Sequence, residues 1–158
     1  MEDWSKVPVF GARSESSGWA IRESAYVLAI RNDGCLAVVR TSQGTFLPGG
    51  GIEIGETPRE AITREALEEC GLTIQPGAWV VRAIQFVYSE LEKTSFEKRS
   101  MFFDGVIVGF DAGPGEPDYE LVWAKPEEAT QILSHKSQRW AVAQWRGRRA
   151  TSAPRVTE

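Results

Sequence analysis

The chain has few of the residues that build redox or nucleophilic sites. Its 158 residues include two cysteines and one histidine. Two cysteines cannot form a disulfide framework, and they lack the spacing of a zinc site, so Cys35 and Cys70 are expected to be small core residues in a reducing compartment. No Ser-His-Asp or Cys-His arrangement is visible. A surface or capping role is predicted for the lone His135.

The chain also lacks a long apolar segment and a strong charge of either sign. No stretch reaches the roughly 20 apolar residues of a membrane span, and the N-terminus MEDWSKVPVF has no signal pattern, so a cytoplasmic location without membrane contact is expected. A net charge of −4 gives no general electrostatic attraction for nucleic acid. Apolar content of 42% and charged content of 25% are ordinary for a globular protein, and the length suits one domain.

A glycine-rich turn, PGGG, leads into the most informative helix of the chain. Thr57 can act as its N-cap, Pro58 suits the first helical position, and Glu60 completes a capping box with Thr57. Gly71 can adopt the left-handed conformation that ends a helix. These signals predict a helix from about Pro58 to about Cys70.

This helix carries three glutamates on one side. At about 100° per residue, Glu69 falls about 40° to one side of Glu65 and Glu68 about 60° to the other. Carboxylates at these spacings repel one another, and a divalent cation removes the repulsion. Oxygen ligands that leave room for water and phosphate suit Mg²⁺ or Mn²⁺. A solvated acidic helix face is the alternative interpretation of the same three residues.

The spacing of the surrounding residues resembles the Nudix box. Gly50 is followed after five residues by Glu56 and after seven more by REALEECGL, which begins at Arg64. The pattern requires a small residue at Ala66 and an aliphatic one at Leu72, and both are present. The resemblance, to MutT-like Nudix hydrolases, is tight over residues 48–72 and extends more loosely over about 25–133. It implies an α/β/α sandwich with a central mixed β-sheet.

The resemblance also implies roles for individual residues. The carboxylates of Glu65, Glu68 and Glu69 and the carbonyl of Gly49 would bind Mg²⁺, for which Mn²⁺ would substitute. Glu56 would pair with Arg64 and hold the loop against the helix. The implied catalytic positions are Glu56, Arg64, Glu65, Glu68 and Glu69.

The implied reaction is hydrolysis of a diphosphate linkage in a nucleoside diphosphate derivative. The favoured substrate is a nucleoside triphosphate, including oxidised forms, cleaved to monophosphate and pyrophosphate. The general base is left open between Glu65 and an acidic loop whose members, Glu116, Asp118 and Glu120, are also candidates for an extra metal ligand. A homodimer is compatible with the family.

The identity of the nucleotide is weakly encoded. Aromatic residues placed to stack on a base are Phe46, Phe86, Tyr88 and Trp123. Tyr88 lies at a distance after the box that is associated with diadenosine polyphosphate hydrolases, which makes that activity an alternative. A nucleotide-sensing domain without catalysis is an alternative of another class.

The rest of the chain is predicted to form strands and helices within one domain at residues 20–146. Residues 1–19 are predicted as an N-terminal segment and 147–158 as a mobile tail. Strands are expected at Ala25–Ile30 and Cys35–Arg40, joined as a hairpin by Asn32-Asp33-Gly34, and at 45–47, 79–88, 101–110 and 120–124. The connection at 89–99 is expected to be exposed, and helices are expected at about 126–133 and 136–145.

Overall fold

The computed structural model describes residues 3–15, 18–111 and 115–152 of the chain. Within these ranges the order of elements is β1 (Val9–Phe10), β2 (Gly18–Ala29), β3 (Leu36–Thr41), β4 (Gly44–Phe46), β5 (Gly49–Gly51), α1 (Pro58–Cys70), β6 (Leu72–Ser89), β7 (Thr94–Phe110), β8 (Glu120–Ala124), α2 (Pro126–Ile132) and α3 (Lys136–Ser152).

Two sheets are sandwiched between the helices. One has the strand order β1-β6-β7-β2-β5 and the other β4-β3-β8. Parallel pairs (β1 with β6, β2 with β7) occur beside antiparallel ones. Alternating residues of β2 face opposite cores: Val27 packs with Ile62 of α1, and Leu28 packs with Val142 of α3. The predicted α/β/α sandwich with a mixed sheet is confirmed.

Helix α1 has the predicted bounds because its end signals are local. Thr57 accepts a hydrogen bond from the Glu60 backbone N–H at 3.2 Å, and Glu60 accepts one from the Thr57 backbone N–H at 2.8 Å. Gly71 closes the helix at φ 70°, and its N–H donates to the carbonyls of Ala66 and Leu67.

The predicted hairpin between residues 25–30 and 35–40 is wrong. The turn forms, with the Arg31 N–H donating to the Cys35 carbonyl at 2.8 Å. However, only an isolated bridge, Ile30 to Leu36, joins the flanking strands among the described residues. β2 instead pairs with β7 and β5, while β3 pairs with β4 and β8. Pairing with distant strands therefore outweighs the adjacent turn.

The prediction that the connection at 89–99 is exposed is also wrong for most of that range. β6 and β7 form one long hairpin that turns at residues 90–93, and Ser95 and Phe96 are buried. The charged run resembled a loop in sequence. In the strand its side chains alternate, so Glu97 pairs with Arg99 at 2.8 Å while Lys98 faces the opposite side.

Described residues outside the range 20–146 also belong to strands, helices or the core. Trp4 is buried in the α1-side core, and β1 pairs with β6. Helix α3 continues to Ser152 rather than ending near Trp145. Trp145 itself is buried and donates a hydrogen bond to Asp104. The last six residues of the predicted tail lie outside the described residues.

The described helices include none with the length and apolar character needed to cross a bilayer. Both cysteines are free; Cys70 is buried as predicted, whereas Cys35 is half-buried.

Candidate active site

The glycine loop brings backbone directly against the acidic helix. A Cβ at Gly50 would lie 2.9 Å from Glu65 Oε1, so a side chain there would displace the carboxylate. Gly49 has φ +141°, and a Cβ there would lie 2.1 Å from the Ala25 carbonyl oxygen. The loop can occupy this position only because both residues are glycine.

Glu69 is a buried carboxyl group beside another carboxyl group. Its side chain is 8% exposed. Burial raises its pKa to about 9, helped by the contact with Glu65 and the charge of that residue, while the Gly49 N–H opposes the shift. Two adjoining carboxyl groups, one of them largely desolvated, cannot both ionise without a nearby cation. A divalent cation fits this donor set chemically.

Glu68 is placed differently from its two neighbours. Its side chain is 50% exposed and accepts a hydrogen bond from Arg64 Nη1 at 3.3 Å. Among the described residues, no group of three or more His, Cys, Asp or Glu side chains converges on one point. The carboxylates that adjoin each other are therefore Glu65 and Glu69, and the assignment of Glu68 as a metal ligand stays a prediction.

Arg64 ties the loop to the helix. It donates to both carboxylate oxygens of Glu56, from Nε at 2.7 Å and from Nη2 at 2.9 Å. It also donates to the Gly51 carbonyl at 3.1 Å and to Glu65 Oε1 at 2.9 Å. The hydrogen bonds from Arg64, and then the Glu53 N–H, lower the pKa of Glu56 to about 2, so the pair stays charged. The predicted contact between Glu56 and Arg64 is confirmed.

A cavity of about 330 Å³ opens beside this loop. It extends from Gly49, Gly50 and Glu69 to the α2–α3 junction, and its wall includes Phe46 and His135. These two rings meet edge to face with centroids 5.0 Å apart. A larger cavity of about 430 Å³ lies elsewhere in the fold and is lined by none of the box glutamates. The 330 Å³ cavity is connected to the candidate chemistry because Glu69 and the glycine loop line it.

The four aromatic residues predicted to stack on a base are dispersed. Phe46 lines the smaller cavity. Tyr88 is 43% exposed and lies outside that cavity, because its strand neighbour Val87 faces inward. Phe86 packs on the α1-side core. Trp123 lines the larger cavity and lies against the Arg31 guanidinium, 4.5 Å from the ring centroid.

The three acidic loop candidates also separate. Asp118 lines the smaller cavity and accepts hydrogen bonds from Ser42, including one from Ser42 Oγ at 2.8 Å. Glu116 is exposed, and its N–H donates to the Glu68 carbonyl at 3.4 Å. Glu120 is exposed on β8, 3.7 Å from Arg40, and does not line the cavity. Asp118 is therefore the member of the three that lines the cavity, and its chemical role stays a prediction.

Several residues that line the cavity were missed by sequence reasoning. His135 was assigned to the surface, but it lines the cavity; burial, and then the charge of Lys98, lower its pKa to about 4. Lys98 and Tyr26 also line the cavity and hydrogen-bond to each other. Tyr119 lies beside the carboxylates, and burial, followed by the charge of Glu69, raises its pKa. No local pattern marks these residues, because distant strands bring them together.

Comparison with known proteins agrees with the family that the Nudix box indicates. The NUDIX domain model matches residues 20–146. Nucleoside triphosphatase NudI of Salmonella schwarzengrund (strain CVM19633) is 32% identical over 111 residues, covering 63% of this chain and 79% of the relative. Among solved structures, a NUDIX hydrolase from Nitrosomonas europaea has a TM-score of 0.67 at 17% identity, covering 81% of this chain and 90% of the other. The MutT protein from Methanosarcina mazei Go1 has a TM-score of 0.64 at 23% identity, covering 89% of this chain and 100% of the other. The chain therefore belongs to the Nudix family.

Proposed function

We propose that this protein hydrolyses a nucleoside triphosphate to the monophosphate and pyrophosphate, with Mg²⁺ as cofactor and Mn²⁺ as a substitute. The observation that carries the proposal is the Glu65–Glu69 carboxyl pair, of which Glu69 lines the same cavity as Phe46. The pair supplies a place for a cation and its phosphate, and the cavity supplies room for a nucleoside.

The cation would be held by Glu65 and Glu69, with Glu68 and the Gly49 carbonyl as the further ligands. When bound, it neutralises charge on the phosphoryl oxygens and lowers the pKa of a coordinated water. Deprotonation of Glu69 accompanies binding, because a carboxylate ligand must be ionised.

The remaining residues of the box position this pair. Arg64 holds Glu56, the Gly51 carbonyl and Glu65 at once, so the loop and the helix keep one relative placement. Phosphoryl transfer depends chiefly on such positioning and on charge neutralisation. Glu65 and the loop residues Glu116, Asp118 and Glu120 are the general-base candidates. Asp118 is favoured among the loop residues because it lines the cavity.

The relative NudI is a nucleoside triphosphatase, which supports a triphosphate substrate. The alternative, a diadenosine polyphosphate hydrolase, was based on Tyr88, and that side chain lies outside the cavity. A nucleotide sensor without turnover is the remaining alternative. It would retain the cavity without needing the buried carboxyl pair.

The test is a panel of canonical and oxidised nucleoside triphosphates, diadenosine tetraphosphate and ADP-ribose, incubated with Mg²⁺, with Mn²⁺ or with EDTA. The expected products are monophosphate and pyrophosphate, formed only with metal. Asymmetric cleavage of the dinucleotide alone would favour the diadenosine alternative. Tight nucleotide binding without turnover would favour the sensor and contradict the proposal.

A further inference from the structure

Lys98 is a cation that lines the cavity. Its half-buried side chain projects from β7, and Nζ donates to Tyr26 Oη at 2.7 Å and lies 5.4 Å from the ring centroid. Within residues 3–15, 18–111 and 115–149, no carboxylate lies at ion-pair distance from this ammonium. Desolvation of an ammonium is costly, so a partly buried one is ordinarily paired. The missing acceptor can be part of a ligand.

The position of Lys98 identifies which part of a nucleotide it would meet. Tyr26 pairs with Gly49 across β2 and β5, and a Cβ at Gly49 would lie 2.9 Å from Tyr26 Cδ1. The tyrosine ring therefore starts at the glycine loop, and Lys98 lies at its hydroxyl end. The cavity residues at the α2–α3 junction and on the neighbouring strand are His135 and Val87, together with Phe46 of β4.

This end of the cavity suits a base better than a phosphate. Its walls include the aromatic ring of Phe46 and aliphatic Val87 beside the polar side chains of Thr41 and Gln43. His135 is neutral because burial and the nearby Lys98 lower its pKa to about 4. A phosphate here would lose most of its hydration for a single cation. An aromatic base would instead have the Phe46 ring and Val87 against its faces, and its polar edge would face the ammonium.

We propose that Lys98 recognises the nucleobase by donating a hydrogen bond to a carbonyl oxygen of the base, so that the enzyme prefers keto bases to their amino counterparts. The inference rests on the proposed function, because it requires a nucleotide in this cavity. An ammonium has three donors and no acceptor, so it is attracted to a keto oxygen and repelled by an exocyclic amino group. Tyr26 is a positioning residue, since its hydroxyl holds the ammonium in place.

Matched substrates isolate this contact. dUTP carries a keto oxygen where dCTP carries an amino group, and ITP differs from ATP in the same way. For the wild type, kcat/KM is expected to favour the keto member of a pair by about tenfold to a hundredfold, the range of a charge-assisted hydrogen bond. Lys98→Met should remove most of that preference by raising KM for the keto substrate, with kcat little changed. Tyr26→Phe should reduce the same preference less.

The control variant is Lys136→Met, which removes the same charge from an exposed position at the start of α3 that does not line the cavity. It should keep the wild-type preference. Thermal melting of each variant checks that it is folded, and a selectivity ratio is insensitive to the fraction of active protein.

Three results would overturn the proposal. They are a wild type with no keto preference in either pair, an unchanged preference in Lys98→Met, or an equal loss on all four substrates, which indicates a phosphate contact. Binding of the four matching monophosphates by calorimetry separates this inference from the proposed function. A keto preference in Kd that Lys98→Met abolishes would support the role of Lys98 even if no triphosphate is hydrolysed.

Discussion

The buried carboxyl group of Glu69 leads to a prediction about stability that needs no substrate. In the metal-free protein, Glu69→Gln should become more stable relative to wild type as the pH rises. The side chain is 8% exposed, and burial, reinforced by Glu65, raises its pKa to about 9 from an ordinary value of 4.5. Glutamine has nearly the same shape but no proton to lose.

The sign follows from proton linkage. Between pH 4.5 and about 9 the folded wild type holds a proton that the unfolded chain has released. This contribution to stability is fully present below the unfolded pKa and is lost progressively as the pH rises towards the folded pKa. Each pH unit in the window costs the wild type about 1.4 kcal/mol, so between about pH 6 and about pH 8 the difference in unfolding free energy should move by about 2 to 3 kcal/mol in favour of the variant.

The assay is urea unfolding in EDTA at several pH values, with Glu68→Gln as the matched control. Glu68 is 50% exposed, so its variant should follow the wild-type curve. Parallel pH profiles for wild type and Glu69→Gln would refute the argument. Adding Mg²⁺ near neutral pH should then stabilise the wild type far more than Glu69→Gln, because the neutral amide cannot replace the carboxylate ligand. In the panel assay the same variant should lower kcat by orders of magnitude.

Three other substitutions test separate parts of the site. Gly49→Ala should destabilise the fold by at least about 3 kcal/mol in chemical denaturation, since φ at Gly49 is +141° and backbone atoms occupy the position of a Cβ. Gly51→Ala is the control and should cost far less, because no atom lies within 4 Å of a Cβ there. Equal costs for the two variants would refute the predicted clash. Arg64→Lys should lose about 1 to 3 kcal/mol of unfolding free energy and most activity, because lysine cannot make the two-point contact to Glu56. Arg40→Lys is the control, since Arg40 is 55% exposed and makes one ion pair at 3.7 Å; it should change unfolding little, and equal effects would contradict the positioning role. The wild type should lose up to about 3 kcal/mol of stability as the pH falls from 6.5 to about 4, because His135 binds a proton in the unfolded chain before it does so in the folded protein. His135→Gln should remove most of this pH dependence. An unchanged slope of stability against pH in urea titrations would exclude His135 as the cause.

The chemistry of α1 could be predicted because its signals are local. Capping by Thr57 and Glu60, and closure at Gly71, involve residues within a few positions of one another. The spacing of the box also indicated the contact between Glu56 and Arg64 before the structure showed it. However, helical geometry alone did not separate the glutamates by environment. Glu69 is buried and Glu68 exposed because the glycine loop packs on only part of that side of the helix.

Strand partners were not predictable from adjacent sequence. The Asn32-Asp33-Gly34 turn indicated a hairpin, yet β2 lies between β7 and β5, which come from other parts of the chain. Likewise, Lys98 belongs to a charged run that resembled an exposed loop. Its burial depends on β7 being an interior strand of the sheet.

The sequence by itself determined the family, the acidic helix and the pairing that positions it, because each depends on fixed local spacing. The tertiary structure alone decided which aromatic residues reach the cavity and where His135 and Lys98 lie. Side-chain direction alternates along a strand, so Val87 faces the cavity and Tyr88 does not. That choice depends on the register of strands far apart in the chain, which no local pattern encodes.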